Sequence, residues 1–240
     1  MRKLIIIPTY NERENIEAMI DRVLGLPGGY ELLVIDDGSP DGTAELVRAR
    51  VAAAQGRLHL LERSGKQGLG TAYLTGFRHA LEQGYDLVYE MDCDFSHDPD
   101  DLERLTAAAA AGADVAVGSR YVRGGRVVNW PLSRLLISYG ASLYVRAATF
   151  LPVHDATAGF VCYTRRALER IDLDGVRMKG YGFQIEMKYT AWRLGLRLRE
   201  VPIVFTERRL GTSKMSGGIF GEALLGVLRL PFRRYRPRKK

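Results

Sequence analysis

The chain has 240 residues, 46% hydrophobic and 26% charged, enough for one sizeable core with an appendage and ordinary for a soluble globular protein. Two cysteines exclude a disulfide scaffold and suit a reducing compartment. The formal charge of +7 is matched by the last twelve residues, "RLPFRRYRPRKK", which hold seven Lys or Arg and no acid; the charge is therefore no evidence for nucleic-acid binding across the fold, and it leaves a basic tail suited to an anionic surface, nucleic acid or a membrane leaflet.

The opening "MRKLIII" starts like a signal peptide, but Pro8, Asn11 and two glutamates come at once, so Arg2 to Pro8 reads as a strand. "NERENIEAMIDRVLGL" carries helical spacing at Ile16, Met19, Ile20, Val23 and Leu24 and stops at "PGG". "YELLVID" is a second strand, "SPDGTAELVRARVAAA" a turn and helix, "RLHLLE" a third strand, and "GLGTAYLTGFRHALEQG" a glycine-led helix. "YDLVYEM", the helix "PDDLERLTAAAAAG" and "ADVAVGS" continue the alternation. It predicts an α/β fold: a Rossmann-like, mostly parallel sheet with helices on both faces. After Ser119 come a glycine- and arginine-rich loop "RYVRGGRVVNW", a long amphipathic helix "PLSRLLISYGASLYVRAATFL", a strand "ATAGFVCY" and a helix "QIEMKYTAWRLG". A last strand "LRLREVPIVF", a loop "TERRLGTSKMSGG" and a closing amphipathic helix "IFGEALLGVLRL" complete the chain. The expectation is one domain over residues 1–230 and a basic, unstructured tail over 231–240. No stretch approaches the ~20 apolar residues of a spanning helix, so the chain is expected in the cytoplasm.

Ligands of open α/β sheets sit outside the carboxyl ends of the strands. Three such ends are chemically marked: "PTYNE", "DDGSPDG" and "MDCDFSHDP". In the last, Asp92 and Asp94 at i and i+2 present two carboxylates to one side while Cys93 points away. Two anions held together call for a proton or a cation, and hard oxygen ligands suit Mg²⁺ or Mn²⁺ against a diphosphate. Alone, such a cluster is more often an ordinary turn or helix N-cap, the reading that Asp98 and Asp100 receive. Asp36 and Asp37 read either as a common Asp/Gly turn or as contacts to a nucleoside. The four histidines lack metal-ligand spacing and read as structural or surface residues; Trp130 and Trp192 read as packing residues.

The motifs "PTYNERENI", "VIDDGSPDGT", "GLGTAY", "MDCDFSH", "GSRYV", "GYGFQIEM", "EVPIVF" and "ERRLGTSKM" occur in that order. Together they resemble the polyprenol-phosphate (dolichol-phosphate) mannose synthases, family 2 glycosyltransferases of GT-A fold, from about Leu4 to Leu230. The resemblance implies donor contacts at Pro8, Tyr10 and Glu12, a nucleoside pocket at Ile35 and Asp37, and a metal–diphosphate element at Asp92, Cys93 and Asp94. It implies Ser96 as a third metal-side ligand where relatives often carry Gln. Arg120 and Arg134 match arginines that hold the acceptor phosphate or the transferring group, and Arg208 and Lys214 match a loop that closes over the donor. Tyr139 and Val161 depart from the pattern, standing where relatives often carry Arg.

The same resemblance implies inverting transfer of mannose from GDP-mannose to a polyprenyl phosphate, with Asp94, Arg120 and Arg134 at the reacting centre and Mg²⁺ or Mn²⁺ required. The enzyme would associate peripherally with the cytoplasmic face of an anionic membrane, with a membrane-protein partner as an option and no nucleic acid. A UDP-glucose-dependent sister enzyme and a non-catalytic nucleotide-sugar-binding subunit are the alternatives.

Overall fold

The computed structural model describes residues 1–178, 180–207 and 218–238. Its main sheet has the order β3-β2-β1-β4-β7-β5-β8. The strands are β1 (Lys3–Thr9), β2 (Tyr30–Asp36), β3 (Leu58–Glu62), β4 (Leu87–Glu90), β5 (Val115–Ser119), β7 (Val161–Thr164) and β8 (Leu198–Pro202). All pair in parallel except β7, which lies antiparallel between β4 and β5. A separate parallel pair joins β6 (Arg126–Val128) to β9 (Val204–Thr206).

The sheet is covered on both faces because its central strands are apolar at successive positions. Leu4 and Ile6 enter one core with Leu33 and Ile35; Ile5 and Ile7 enter the other with Leu32 and Val34. On the second face lie α1 (Ile16–Leu24), α2 (Thr43–Val51) and α4 (Asp101–Ala110). On the first lie α3 (Leu69–Glu82), α6 (Arg165–Arg170) and α7 (Tyr181–Arg193), with α5 (Leu132–Thr149) and α8 (Gly218–Arg229) added at the rim. Such double burial is what a period-2 strand without polar positions requires.

Four features differ from the sequence reading. The loop after Ser119 holds β6, whose half-buried valines find a partner in β9. The last predicted strand breaks at Ile203, which is buried at the junction of β8 and β9. A short α6 succeeds β7, started by Thr164, whose hydroxyl accepts the Ala167 N–H. Finally, residues 231–238 are held against the domain instead of running free. Arg233 pairs with the buried Glu186 carboxylate of α7, Tyr235 packs edge-on at 5.4 Å from Tyr189, and the Arg238 N–H donates to the Arg170 carbonyl. Composition shows the charge of that segment but not the acid and aromatic ring waiting for it on α7.

Among the described residues, no helix is long and apolar enough to cross a membrane. α5 is amphipathic in an outward sense: Leu132, Leu136, Leu143 and Phe150 beside it are exposed. Leu224, Leu225 and Leu228 continue this apolar surface on α8, which α5 touches through a Tyr144 hydroxyl bond to the Leu224 carbonyl.

Candidate active site

Parallel strands align their carboxyl ends on one edge, and there the chain builds a cavity of about 210 Å³. Asp92, Asp94, Ser96, Arg120 and Arg134 all line it. β4 stops at Glu90, so the two aspartates occupy the loop beyond the strand and meet by loop geometry, not strand alternation. Phe95 makes the turn, with φ of 58°, a left-handed conformation uncommon for a bulky residue. It lets Asp94 Oδ1 accept the Ser96 N–H at 3.1 Å. The Cys93 side chain is buried in the α1/α4 core, so any contact it makes to a donor runs through its backbone. Cys162, also buried, has its thiol pushed up to about 12 by burial.

His97, a structural or surface residue by its sequence spacing, is buried and part of this cavity. Its ring stacks on Phe160 at 5.0 Å and meets Phe205 edge-on at 5.2 Å. Burial pulls its pKa down to about 4, so at neutral pH the ring is uncharged and Nδ1 accepts the Asp92 N–H at 3.4 Å.

At the neighbouring strand ends, the two adjacent aspartates divide. Asp36 is structural: it accepts hydrogen bonds from the Thr9 hydroxyl at 2.8 Å and the Ser39 N–H at 2.8 Å, tying the first two strand-end loops together. Asp37 takes a bidentate pair from Arg63, Nε at 2.6 Å and Nη2 at 2.8 Å, and Arg63 also donates to the Thr71 hydroxyl. No motif in the sequence points to Arg63. Ile35, expected at the nucleoside, has zero exposure and belongs to the α3-side core; a side chain with no accessible surface offers nothing for a base to rest on. Pro8 pairs with Ile35 in the sheet, Lys66 lies over the Tyr10 ring at 5.1 Å, and Glu12 accepts from Asn15 and donates its N–H to Thr43. None of these residues lines the cavity.

Both predicted arginines reach the cavity with a carboxylate already beside them. Arg120 makes a bidentate pair with the fully buried Asp155, at 2.7 and 2.6 Å, and adds a bond to Thr157. Burial opposes its charge, but the Asp155 bonds outweigh that and hold its pKa above the usual value. Arg134 pairs with Glu207 and stacks 4.1 Å over the Trp130 ring. Trp130 and Phe205 thus wall the site, although the sequence reading treats the tryptophan as packing. Asp155, Thr157, Ala158 and Gly159 arrive because β7 runs antiparallel, which brings the segment before it to the carboxyl edge.

Behind the cavity floor lies a buried polar set. Burial raises the Glu90 carboxyl and lowers the Lys188 ammonium, each partly offset by the other's charge. The Gln184 side-chain amide also faces the Glu90 carboxyl and holds its pKa down against burial. Lys188 donates to the Ala158 carbonyl at 2.6 Å and the Gln184 carbonyl at 3.1 Å. Gln184 belongs to the motif "GYGFQIEM", but nothing in that string singles it out. Arg208 and Lys214 lie outside the described residues.

The Glycosyl transferase family 2 model matches residues 4–172. The chain is 50% identical over 229 residues to an undecaprenyl-phosphate mannosyltransferase of Micrococcus luteus, covering 95% of this chain and 93% of that protein. It is 50% identical over 226 residues to a polyprenol monophosphomannose synthase of Mycolicibacterium smegmatis, covering 94% and 85%. Among solved structures, glucosyl-3-phosphoglycerate synthase of Mycobacterium tuberculosis, in complex with Mn²⁺, UDP-glucose and phosphoglyceric acid, shares the fold with a TM-score of 0.69. That likeness spans 95% of this chain and 78% of the other at 19% identity. A family match that takes in β1 to β7 and half-identity across nearly the whole length agree: this chain belongs to glycosyl transferase family 2, in the company of the polyprenyl-phosphate mannose synthases.

Proposed function

We propose that this protein transfers a mannosyl group from GDP-mannose to the phosphate of a polyprenyl phosphate, releasing GDP. The observation that carries the reading is the opening of an aspartate pair and two arginines into one cavity, roofed by a helix with an exposed apolar face, in a chain so similar to named mannosyltransferases of polyprenyl phosphates.

The donor set fits a hard divalent ion. Asp92, Asp94 and Ser96 offer oxygens alone, and no group of three or more His, Cys, Asp or Glu suited to a metal occurs among the described residues. Few protein ligands suit Mg²⁺ or Mn²⁺, which take their remaining oxygens from water and substrate phosphates. When bound, the ion supplies positive charge to the diphosphate as it departs. Asp92 and Asp94 fix where the diphosphate lies. Asp37, oriented by Arg63, serves the nucleoside; Pro8, Tyr10 and Glu12 border it.

The acceptor needs no strong base, since a phosphate monoester with a second pKa of ~6 is already anionic at neutral pH. An acceptor phosphate oxygen attacks the anomeric carbon, the bond to the diphosphate oxygen breaks, and the electron pair leaves with GDP. One in-line displacement inverts the anomeric centre. Arg134 holds the acceptor phosphate by exchanging Glu207 for it, and Arg120, kept in place by Asp155, adds fixed positive charge. The exposed apolar residues of α5 and α8 rest on the bilayer where the polyprenyl chain resides, aided by the chain's positive charge.

The test is transfer of labelled mannose from GDP-mannose to a polyprenyl phosphate, run beside a panel of other nucleotide sugars and with a chelator. Asp94→Asn is expected to cost ~10²-fold or more in rate while the protein stays folded. Full activity in the chelator together with a wild-type-like Asp94→Asn enzyme would remove the metal from the reading. Transfer from UDP-glucose in preference to GDP-mannose would replace the donor.

A further inference from the structure

We infer that the protein carries a headgroup site for an anionic phospholipid, set between α7, α8 and the segment after α8, with Arg177, Arg229 and Arg233 as its cations. The site is separate from the catalytic cavity and does not depend on which sugar is transferred.

A hollow of about 510 Å³ opens where Arg177 and Met178, just ahead of α7, meet the end of α8 and the residues that follow it. It shares no residue with the cavity of Asp92 and Asp94. The buried Met178 makes its floor. Two glycines let the helices close over that methionine: a Cβ on Gly182 of α7 would lie 2.3 Å from Met178 Cε, and one on Gly226 of α8 would lie 2.5 Å from it. Three arginines stand around the hollow. Arg233 pairs with Glu186, which is 2% exposed. The other Glu186 oxygen accepts the N–H groups of Arg177 and Met178 at 3.0 and 2.7 Å. That carboxylate is fully engaged and neutralises no further side chain. Arg177 and Arg229 are exposed and enter no ion pair among the described residues. The rest of the rim is apolar and faces water, with Leu225 60% and Phe232 89% exposed.

Uncompensated positive charge in a hollow with an exposed apolar rim calls for a ligand that is anionic at one end and apolar at the other. A guanidinium takes two phosphate oxygens at once. Exposed leucine and phenylalanine side chains on a helix enter the acyl layer just below the headgroups. A phospholipid of net negative charge answers both. A free phosphate would leave Leu225 and Phe232 in water, and a nucleic-acid strand calls for cations strung along a groove, not gathered around one hollow. Arg234 and Arg236 differ in kind: they lie outside the hollow and respond to the surface potential as a whole.

The experiment sediments the full chain with vesicles of phosphatidylcholine, with and without phosphatidylglycerol and free of polyprenyl phosphate. It is run at low salt and at ~1 M salt, where charges are screened beyond about 3 Å. Arg177→Gln with Arg229→Gln is compared with Arg234→Gln with Arg236→Gln, which removes the same charge outside the hollow. All four residues are exposed, so Tm should stay at the wild-type value. At ~1 M salt the wild type should keep a ~10-fold preference for vesicles with phosphatidylglycerol; the second pair of substitutions should preserve it and the first should abolish it. If the first pair lowers Tm, Arg229→Gln alone is read the same way. Equal behaviour of the two variants, or no headgroup preference in the wild type at ~1 M salt, overturns the inference and leaves diffuse charge alone. Release from the vesicles by glycerol 3-phosphate in solution would make the ligand a free phosphate. Displacement by a single-stranded oligonucleotide that the Arg177/Arg229 variant no longer binds would make it a nucleic acid. Either result overturns the lipid. Mannosyl transfer to a detergent-solubilised acceptor is assayed separately, so failure of the proposed reaction and failure of this site are told apart.

Discussion

The Arg120–Asp155 pair shows how a charge is made usable at a site that excludes water. Both side chains are nearly or fully buried, and their separation in sequence is 35 residues. Removing one partner of such a pair leaves the other ion buried alone, typically costing about 3–5 kcal/mol. Asp155→Asn is therefore expected to lower unfolding free energy by ~3 kcal/mol in urea titrations. The double variant Asp155→Asn/Arg120→Gln should recover part of that loss, and strictly additive losses would mean that the pair is not energetically coupled. At this scale the sequence is half legible. Asp92 and Asp94 stand two residues apart, and any chemistry they share is visible in the string. Asp155 with Arg120, and Arg63 with Asp37 across 26 residues, are partners only because strands bring them together. Ile35 misleads for the converse reason: it neighbours Asp37 in sequence, yet its side chain is wholly enclosed between the sheet and α3.

Among the elements, α3 is set by how closely it approaches β1. A Cβ on Gly76 would lie 2.6 Å from the Ile6 Cδ1 atom, and Ile6 is fully buried with nowhere to move. Alanine gains up to ~1 kcal/mol over glycine in a helix interior, but overpacking a core costs about 1–3 kcal/mol. Gly76→Ala should therefore destabilise by ~1 kcal/mol in chemical denaturation. Gly140→Ala in α5, where no atom lies within 4 Å of the added carbon, should instead stabilise by ~0.5–1 kcal/mol. A loss at Gly140 as large as at Gly76 would show that helix contact is not what separates them. α5 also yields a surface prediction. Leu136 and Leu143 are 62% and 54% exposed, so Leu136→Glu with Leu143→Glu should reduce co-flotation with lipid vesicles while leaving Tm nearly unchanged. Equal flotation would take α5 off the membrane. The alternation of strands and helices, and α5 itself, are read correctly from periodicity. β6, β9 and α6 are too short for a period to develop, and they form where a partner strand or a capping threonine is at hand.

For the whole molecule, the net charge of +7 is a long-range term laid over these local contacts. Arg234 and Arg236 are exposed and enter no ion pair among the described residues, whereas Arg233 and Tyr235 anchor the segment to α7. The two functions can be separated. Arg234→Gln with Arg236→Gln should weaken binding to anionic vesicles by about 2 kcal/mol at low salt and leave Tm alone. Removal of residues 231–240 should also lower Tm, because it uncovers Glu186 and Tyr189. Binding that is insensitive both to the double variant and to salt would assign docking to the apolar helices alone. The doubly covered sheet is legible from strands that are apolar at successive positions, but the place of β7 within it is not, since its composition marks a buried strand without naming its neighbours. That placement has a consequence for how the protein is made. β4 and β5 are complete by Ser119, yet they do not pair with each other; a gap of two strand spacings, ~9.6 Å, stands between them until Val161 to Thr164 arrive from the far side of α5. A chain leaving the ribosome carries an open edge on β4 throughout that interval, the situation in which unpaired strands aggregate. The strand that ends the exposure also delivers Asp155 and Gly159 to the carboxyl edge, so the middle of the sheet and that wall of the cavity are set together, ahead of β8 and of the later cavity residues Ile203 and Phe205.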